Sequence, residues 1–184
     1  MNKFRNTFNL KKKKVFLFGG SGLIGSSITE AFCEFESDVK VFDIKKKNNK
    51  QLNFEFIHFD ISKLNTLDEK LNKVFTKYGC PEVYINCTYP KTVDWIKSTV
   101  ENNSIKNLRK HVDIHLNSYS WLAYRFCEEM KKNKIKGSII QLSSIYGLLG
   151  QNLNLYKSTK IRENLNYSII KGGIVNFSRQ LASI

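Results

Sequence analysis

Three observations predict an α/β fold built on a doubly wound parallel sheet. Short apolar runs alternate with longer segments of helical periodicity, a glycine cluster follows the first apolar run at once, and no repeat or linker divides the 184 residues. The length suits one domain with a substantial core, and 41% hydrophobic residues agree with a globular chain. One domain over residues 1–184 is therefore expected, with 1–12 as a ragged basic leader.

The first strand is Val15-Phe16-Leu17-Phe18, ended by Gly19-Gly20-Ser21-Gly22-Leu23-Ile24-Gly25. Leu23, Ile24, Ile28, Ala31, Phe32 and Phe35 then recur at helical spacing, so the order is strand, glycine turn, helix. The first turn of a helix carries N–H groups without intrahelical partners, and its dipole favours negative charge. A turn without Cβ atoms lets a pyrophosphate reach those groups. Val39 to Phe42 make the second strand, and Asp43 ends it where a carboxylate would hold the adenosine ribose hydroxyls. The acid disfavours a 2′-phosphate, so NAD is expected over NADP; Lys45 and Lys46 soften that choice.

After a polar connector at 45–50, residues 54–59 read as a third strand, followed by Asp60 and Ile61. Leu64, Leu67, Leu71, Val74 and Phe75 stripe a helix over 63–78, stopped by Gly79-Cys80-Pro81. Residues 83–87 form a fourth strand containing Asn86, and 91–103 a polar loop with a short helix. A long helix is expected over Ser104–Lys132, a fifth strand over 138–142, and a last helix over Glu163–Ala182.

The net charge is +14, with basic runs at Lys11–Lys14 and Lys45–Lys47. Such runs attract nucleic acid or acidic surfaces. Here the excess is spread along a chain also rich in asparagine and isoleucine, which reads as compositional bias, so no nucleic-acid partner is expected. Phosphorylated sugars would suit the same field. Cys33, Cys80, Cys87 and Cys127 are scattered, without a CxxC pair, and His58, His111 and His115 lack a ligand cluster, so neither disulfide nor metal is expected. No apolar run approaches the roughly 20 residues of a membrane span, and the N-terminus lacks a signal core. A cytoplasmic location is expected.

The chemistry-bearing residues lie downstream. Tyr167 and Lys171 are four apart, one turn of helix on the same face. A phenol titrates near pH ~10, too high for a base at neutral pH, and a nearby ammonium favours the phenolate. Ser144, beyond the fifth strand, offers a hydroxyl to a reacting carbonyl or alcohol.

On these residues the chain resembles the short-chain dehydrogenases/reductases, from about residue 12 to its end. The resemblance rests on the glycine spacing Gly19, Gly22, Gly25, on Ile85-Asn86-Cys87-Thr88 at a strand end, and on Ser144 with Tyr167-x-x-x-Lys171. It implies a Rossmann-like sheet and an NAD(P)-dependent oxidoreductase. It also implies cofactor contacts from Gly19, Ser21, Gly22, Leu23, Ile24, Gly25, Asp43, Asp60, Ile61, Asn86, Tyr167 and Lys171. Tyr89-Pro90-Lys91, Ser143 to Gly147, the loop with Tyr156-Lys157-Ser158-Thr159 and Lys171-Gly172-Gly173-Ile174 resemble, within that family, bacterial oxidoreductases of flagellin glycosylation and nonulosonate-type polysaccharide synthesis. That implies a sugar or sugar-phosphate substrate near Ser144, Tyr146 and Tyr156.

Several positions depart from the family pattern. A second pair, Tyr156 and Lys160, has the commoner spacing from Ser143, but polar residues follow it, so Tyr167 and Lys171 are preferred and Tyr156 is expected to line the substrate loop. His115 stands where the family places a catalytic asparagine that holds a water; it either substitutes for that residue or is a half-buried helix histidine. Members continue with two further strands where this sequence stops, so about five of seven strands are expected. A non-catalytic dinucleotide-binding remnant is one alternative, and a basic nucleic-acid-binding protein a second. Homo-dimers or tetramers through the long helices are implied by the resemblance alone.

Overall fold

The computed structural model describes residues 8–46 and 52–184; residues 1–7 of the expected leader and 47–50 of the expected connector lie outside the described residues. The chain falls into two compact units. One holds the chain up to Asp60, Thr66–Tyr89 and Arg125–Leu142; the other holds Ile61–Asn65, Pro90–Tyr124 and Ser143–Ile184.

The first unit contains the sheet. Its elements are β1 (Lys14–Phe18), α1 (Leu23–Glu34), β2 (Asp38–Asp43), β3 (Glu55–His58), α2 (Leu67–Tyr78) and β4 (Val83–Asn86). Among the described residues the sheet has five strands, β5 (Ser138–Gln141) included, all parallel in the order β3-β2-β1-β4-β5. The order reverses between β1 and β4. Right-handed crossovers then bring α1 to one face of the sheet and α2 to the other.

Side-chain alternation along β1 carries this out. Val15 and Leu17 point to one face, where Ile28 and Phe32 of α1 pack on them and on Ile85. Phe16 and Phe18 point to the other, against Phe42, Tyr84 and Phe126. Val15 to Phe18 are wholly buried, as a strand covered on both faces requires. This second face is aromatic: the Phe18 and Phe42 rings stack at 4.5 Å and those of Tyr84 and Phe126 at 4.1 Å. Each such pair adds about 1 kcal/mol to what burial contributes.

The second unit is helical. The helix expected over Ser104–Lys132 occurs with an interruption: α3 (Ile105–His111), a π-helical turn over Val112–Asn117, then α4 (Ser118–Lys132), whose residues from Arg125 on belong to the first unit. Ser104 caps it, accepting the Asn107 N–H. The loop expected at 91–103 carries a short 3-10 turn, Trp95–Lys97. The last helix, α5 (Leu165–Leu181), begins two residues later than expected, because Asn164 caps it by accepting the Tyr167 N–H.

Candidate active site and dinucleotide cradle

The glycine turn of the first unit is built around two close approaches. Gly19 has φ of +79°, and a Cβ there would lie 2.6 Å from the Thr88 backbone nitrogen. At Gly25 a Cβ would lie 2.8 Å from both the Gly19 carbonyl carbon and Gly20 Cα, and closer still to the Gly19 oxygen. The first turn of α1 is thereby pressed against the end of β1. Gly22 begins the helix with no side-chain cap and no acidic residue in the first turn. The N–H groups of Leu23 and Ile24 start the helix here, and both side chains stand exposed.

Asp43 closes the cradle on its second side. Its carboxylate accepts the Ser21 N–H at 3.0 Å and the Ile44 N–H at 2.7 Å, so it sits at the glycine turn itself. Asn86, wholly buried at the end of β4, accepts both the N–H and the hydroxyl of Thr88. That bond fixes the segment that crowds Gly19. Asp60 follows Phe59, whose N–H donates to the Asp43 carbonyl. Ile61 opens the second unit and is buried. Gly19, Ser21, Gly22, Gly25, Asp43 and Asn86 are thus gathered at the switch point of the sheet. A pyrophosphate with its ribose fits there: the N–H groups of Leu23 and Ile24 open the helix with no acidic residue in its first turn, the glycines let turn and helix approach, and Asp43 lies beside them.

The second unit holds the proton-transfer candidates. Tyr167 and Lys171 share one face of α5, with the Lys171 Nζ 5.6 Å from the Tyr167 ring centroid and 5.4 Å from that of Tyr119. Lys171 is 3% exposed, and burial brings its ammonium down to about 8. The Ser143 hydroxyl donates to the Lys171 carbonyl at 2.8 Å, which pins the Ser144 turn to this helix. The Ser144 Oγ accepts the Tyr146 N–H, and the Tyr146 and Tyr156 phenols share a 2.5 Å hydrogen bond. Tyr146 is held above the ordinary phenol range, chiefly by that bond. The rival pair is not helical: Tyr156 ends a 3-10 turn over Leu153–Tyr156, and Lys160 is exposed in the loop beyond it.

His115 lies in the π-helical turn, wholly buried rather than half-buried, with its ring 5.1 Å from that of Tyr119. Burial first, then the Lys171 charge, pulls its imidazole down to about 3, so it is neutral at pH 7. Single-turn π-bulges inside α-helices are frequent at functional sites.

One cluster was not legible in the sequence. His111, wholly buried, meets Thr92, Ser98 and Asn166 through its two ring nitrogens, and Trp95 lies on it at 4.7 Å. These residues are up to 74 positions apart (92 to 166), so no local spacing links them.

The family model described as short chain dehydrogenase matches residues 13–183. Post-translational flagellin modification protein A of Campylobacter coli is 27% identical over 183 residues, covering 94% of this chain and 71% of that protein. A short chain dehydrogenase of Leptospira borgpetersenii, solved with bound NAD+, superposes with a TM-score of 0.83 at 24% identity, over 100% of this chain and 68% of that one. A 4-hydroxyisoleucine dehydrogenase solved with NADH superposes with a TM-score of 0.73 at 21% identity, over 92% and 68%.

Proposed function

This chain belongs to the short-chain dehydrogenase family and is an NAD(P)-dependent oxidoreductase; from that premise we propose that it interconverts a hydroxyl and a carbonyl on a sugar or sugar-phosphate. We place the reaction in the making of a surface glycan, a reading supported by the flagellin-modification relative. The observation that carries the site is the pairing of Tyr167 with a buried, cationic Lys171 one turn away.

In this reading residues 1–184 act as one dinucleotide-binding domain. The turn from Gly19 to Gly25 would hold the pyrophosphate on the N–H groups of Leu23 and Ile24, and Asp43 would take the ribose hydroxyls, with Asp60 and Asn86 flanking. Asp43 favours NAD over NADP, since a 2′-phosphate would meet a carboxylate. When bound, the nicotinamide gives or takes the hydride. Tyr167 exchanges the proton with the substrate oxygen, Lys171 favours its phenolate and binds ribose, and Ser144 orients that oxygen. Tyr146 and Tyr156 line the substrate side. His115 takes the place of the family's asparagine.

Small-molecule substrates and self-association complete the proposal. Trp121, Tyr124 and Ile169 stand 36–48% exposed on α4 and α5, the helices through which copies of the chain would pair. We place the protein in the cytoplasm; among the described residues no helix is long and apolar enough to cross a membrane.

The test is calorimetric titration of NADH and NADPH, followed by a turnover screen over nucleotide-linked and phosphorylated sugars. Saturable binding favouring NADH, with turnover falling 10²–10⁴-fold in Tyr167→Phe, is expected. Binding without turnover on any sugar would leave a dinucleotide-binding remnant. Affinity for nucleic acid that falls steeply with salt, with no affinity for NADH, would overturn the reading.

A further inference from the structure

The buried polar cluster of the second unit leads to Tyr167 by two routes. Asn166, wholly buried, precedes it in sequence. The Asn166 amide donates to His111 Nδ1 at 2.9 Å and to the Ser98 hydroxyl at 3.0 Å, and its oxygen accepts the Asn103 amide at 2.9 Å. With Nδ1 accepting, the imidazole proton is on Nε2, which donates to the Thr92 hydroxyl at 2.8 Å. Thr92 in turn donates to the Asp94 carboxylate. The chain from amide to carboxylate has one consistent direction, and it requires a neutral imidazole.

The second route is through rings. Trp95 lies on the His111 ring at 4.7 Å and meets the Tyr167 ring edge-on, with centroids 6.5 Å apart and planes at 86°. Asn164 ties the same two residues through their backbones, donating to the Trp95 carbonyl at 3.1 Å and accepting the Tyr167 N–H at 2.8 Å. The Leu165 N–H donates to the Ser98 carbonyl at 2.9 Å, closing the 92–103 segment onto the start of α5.

We propose that His111 and Asn166 are positioning residues for Tyr167: they hold Trp95 as a wedge that sets the orientation of the phenol ring. The catalytic meaning of this inference rests on the reading of Tyr167 as the proton-transfer group. A buried network satisfied at every member specifies one arrangement, whereas one lost partner leaves an unpaired buried polar group and a looser site. Protonation of His111 would set an N–H against the Asn166 amide donors. The amide would have to turn over, breaking its pair with Asn103, and the wedge would be released. Burial holds the His111 imidazole below its ordinary range; Asp94 opposes that shift, while Lys110 adds to it. His115, from the π-helical turn, has its ring 6.2 Å from Trp95.

The test reads the phenol itself. The full chain is labelled with 13C at tyrosine Cζ, and Tyr167→Phe assigns the Tyr167 resonance. In Asn166→Ala and in the milder Thr92→Val, which removes the acceptor of the Nε2 proton, that resonance is expected to move by more than its line width or to split. Tyr78, on the first unit's α2, should stay in place and circular dichroism should be unchanged. In the unsubstituted chain the same resonance should follow the titration of the His111 ring as pH falls. An unmoved Tyr167 resonance in both variants, or one indifferent to the His111 titration, overturns the proposal. If Asn166→Ala does not fold, Thr92→Val and the titration decide alone. Undiminished turnover in Tyr167→Phe would instead refute the proton-transfer reading, a result these spectra do not depend on.

Discussion

Replacing Gly25 by alanine puts one methyl group into the contact on which the cradle depends. The new Cβ would lie 2.8 Å from Gly19 C and Gly20 Cα. Ordinary carbon contacts are ~3.5–4.0 Å, so the helix and turn must part by about 1 Å. The crowding atoms are backbone and have no rotamer to move to. Overpacking of this kind costs about 1–3 kcal/mol, while alanine's better helix propensity returns up to about 1 kcal/mol. A net loss of about 1–2 kcal/mol in folding stability is expected by urea unfolding. NADH affinity should suffer more, because the N–H groups of Leu23 and Ile24 move with the helix. Losing one charge-assisted hydrogen bond at about 1.5–3 kcal/mol means a Kd raised about 10- to 100-fold by calorimetry. Gly150→Ala is the control, since nothing lies within 4 Å of its Cβ position; it should be neutral in both assays. Equal stability and equal NADH affinity for Gly25→Ala and Gly150→Ala would refute this account of the turn.

Three further outcomes are expected. His115 is depressed to about 3 from an ordinary 6.5, so the unfolded chain binds the extra proton between those values. Its contribution is complete above pH 6.5 and is lost as pH falls toward 3, at up to about 1.4 kcal/mol per pH unit. The curve for His115→Asn should be flatter over that window, and parallel urea midpoints would contradict the burial argument. Lys171 is depressed to about 8 from 10.5, so its buried charge costs up to about 3 kcal/mol at pH 7. Lys171→Met should therefore be more stable at pH 7 while losing turnover, with the gap closing as pH rises from 8 through 10.5; a gap that does not depend on pH would sink the idea. Asp43→Ser should bring the affinities for NADPH and NADH closer together in paired titrations, and an unchanged ratio would remove Asp43 from the ribose site.

Much of the fold was legible because its signals are local. A strand covered on both faces must be apolar throughout, as Val15 to Phe18 are, and a helix whose first turn is pressed onto a strand end needs a glycine at the contact, as at Gly25. The four-residue spacing of Tyr167 and Lys171 places both on one helical face wherever that helix packs. Tyr156 and Lys160 have the same spacing, and here local pattern misleads: spacing places two residues together only if the segment is helical. That segment is a 3-10 turn and loop, while Asn164 starts the helix beyond it.

Sequence by itself determined the succession of strands and helices along the chain, the glycine turn with its acid, and the family to which those motifs point. Tertiary structure alone decided that His115 is wholly buried in a π-helical turn, that Asp43 reaches back to the Ser21 N–H, and that Thr92, His111 and Asn166 share one network. The physical reason is range. Backbone preference and periodicity act over a few residues and are written in order along the chain. Desolvation and hydrogen bonding in a buried cluster depend on which distant side chains arrive together, and only the packed chain specifies that.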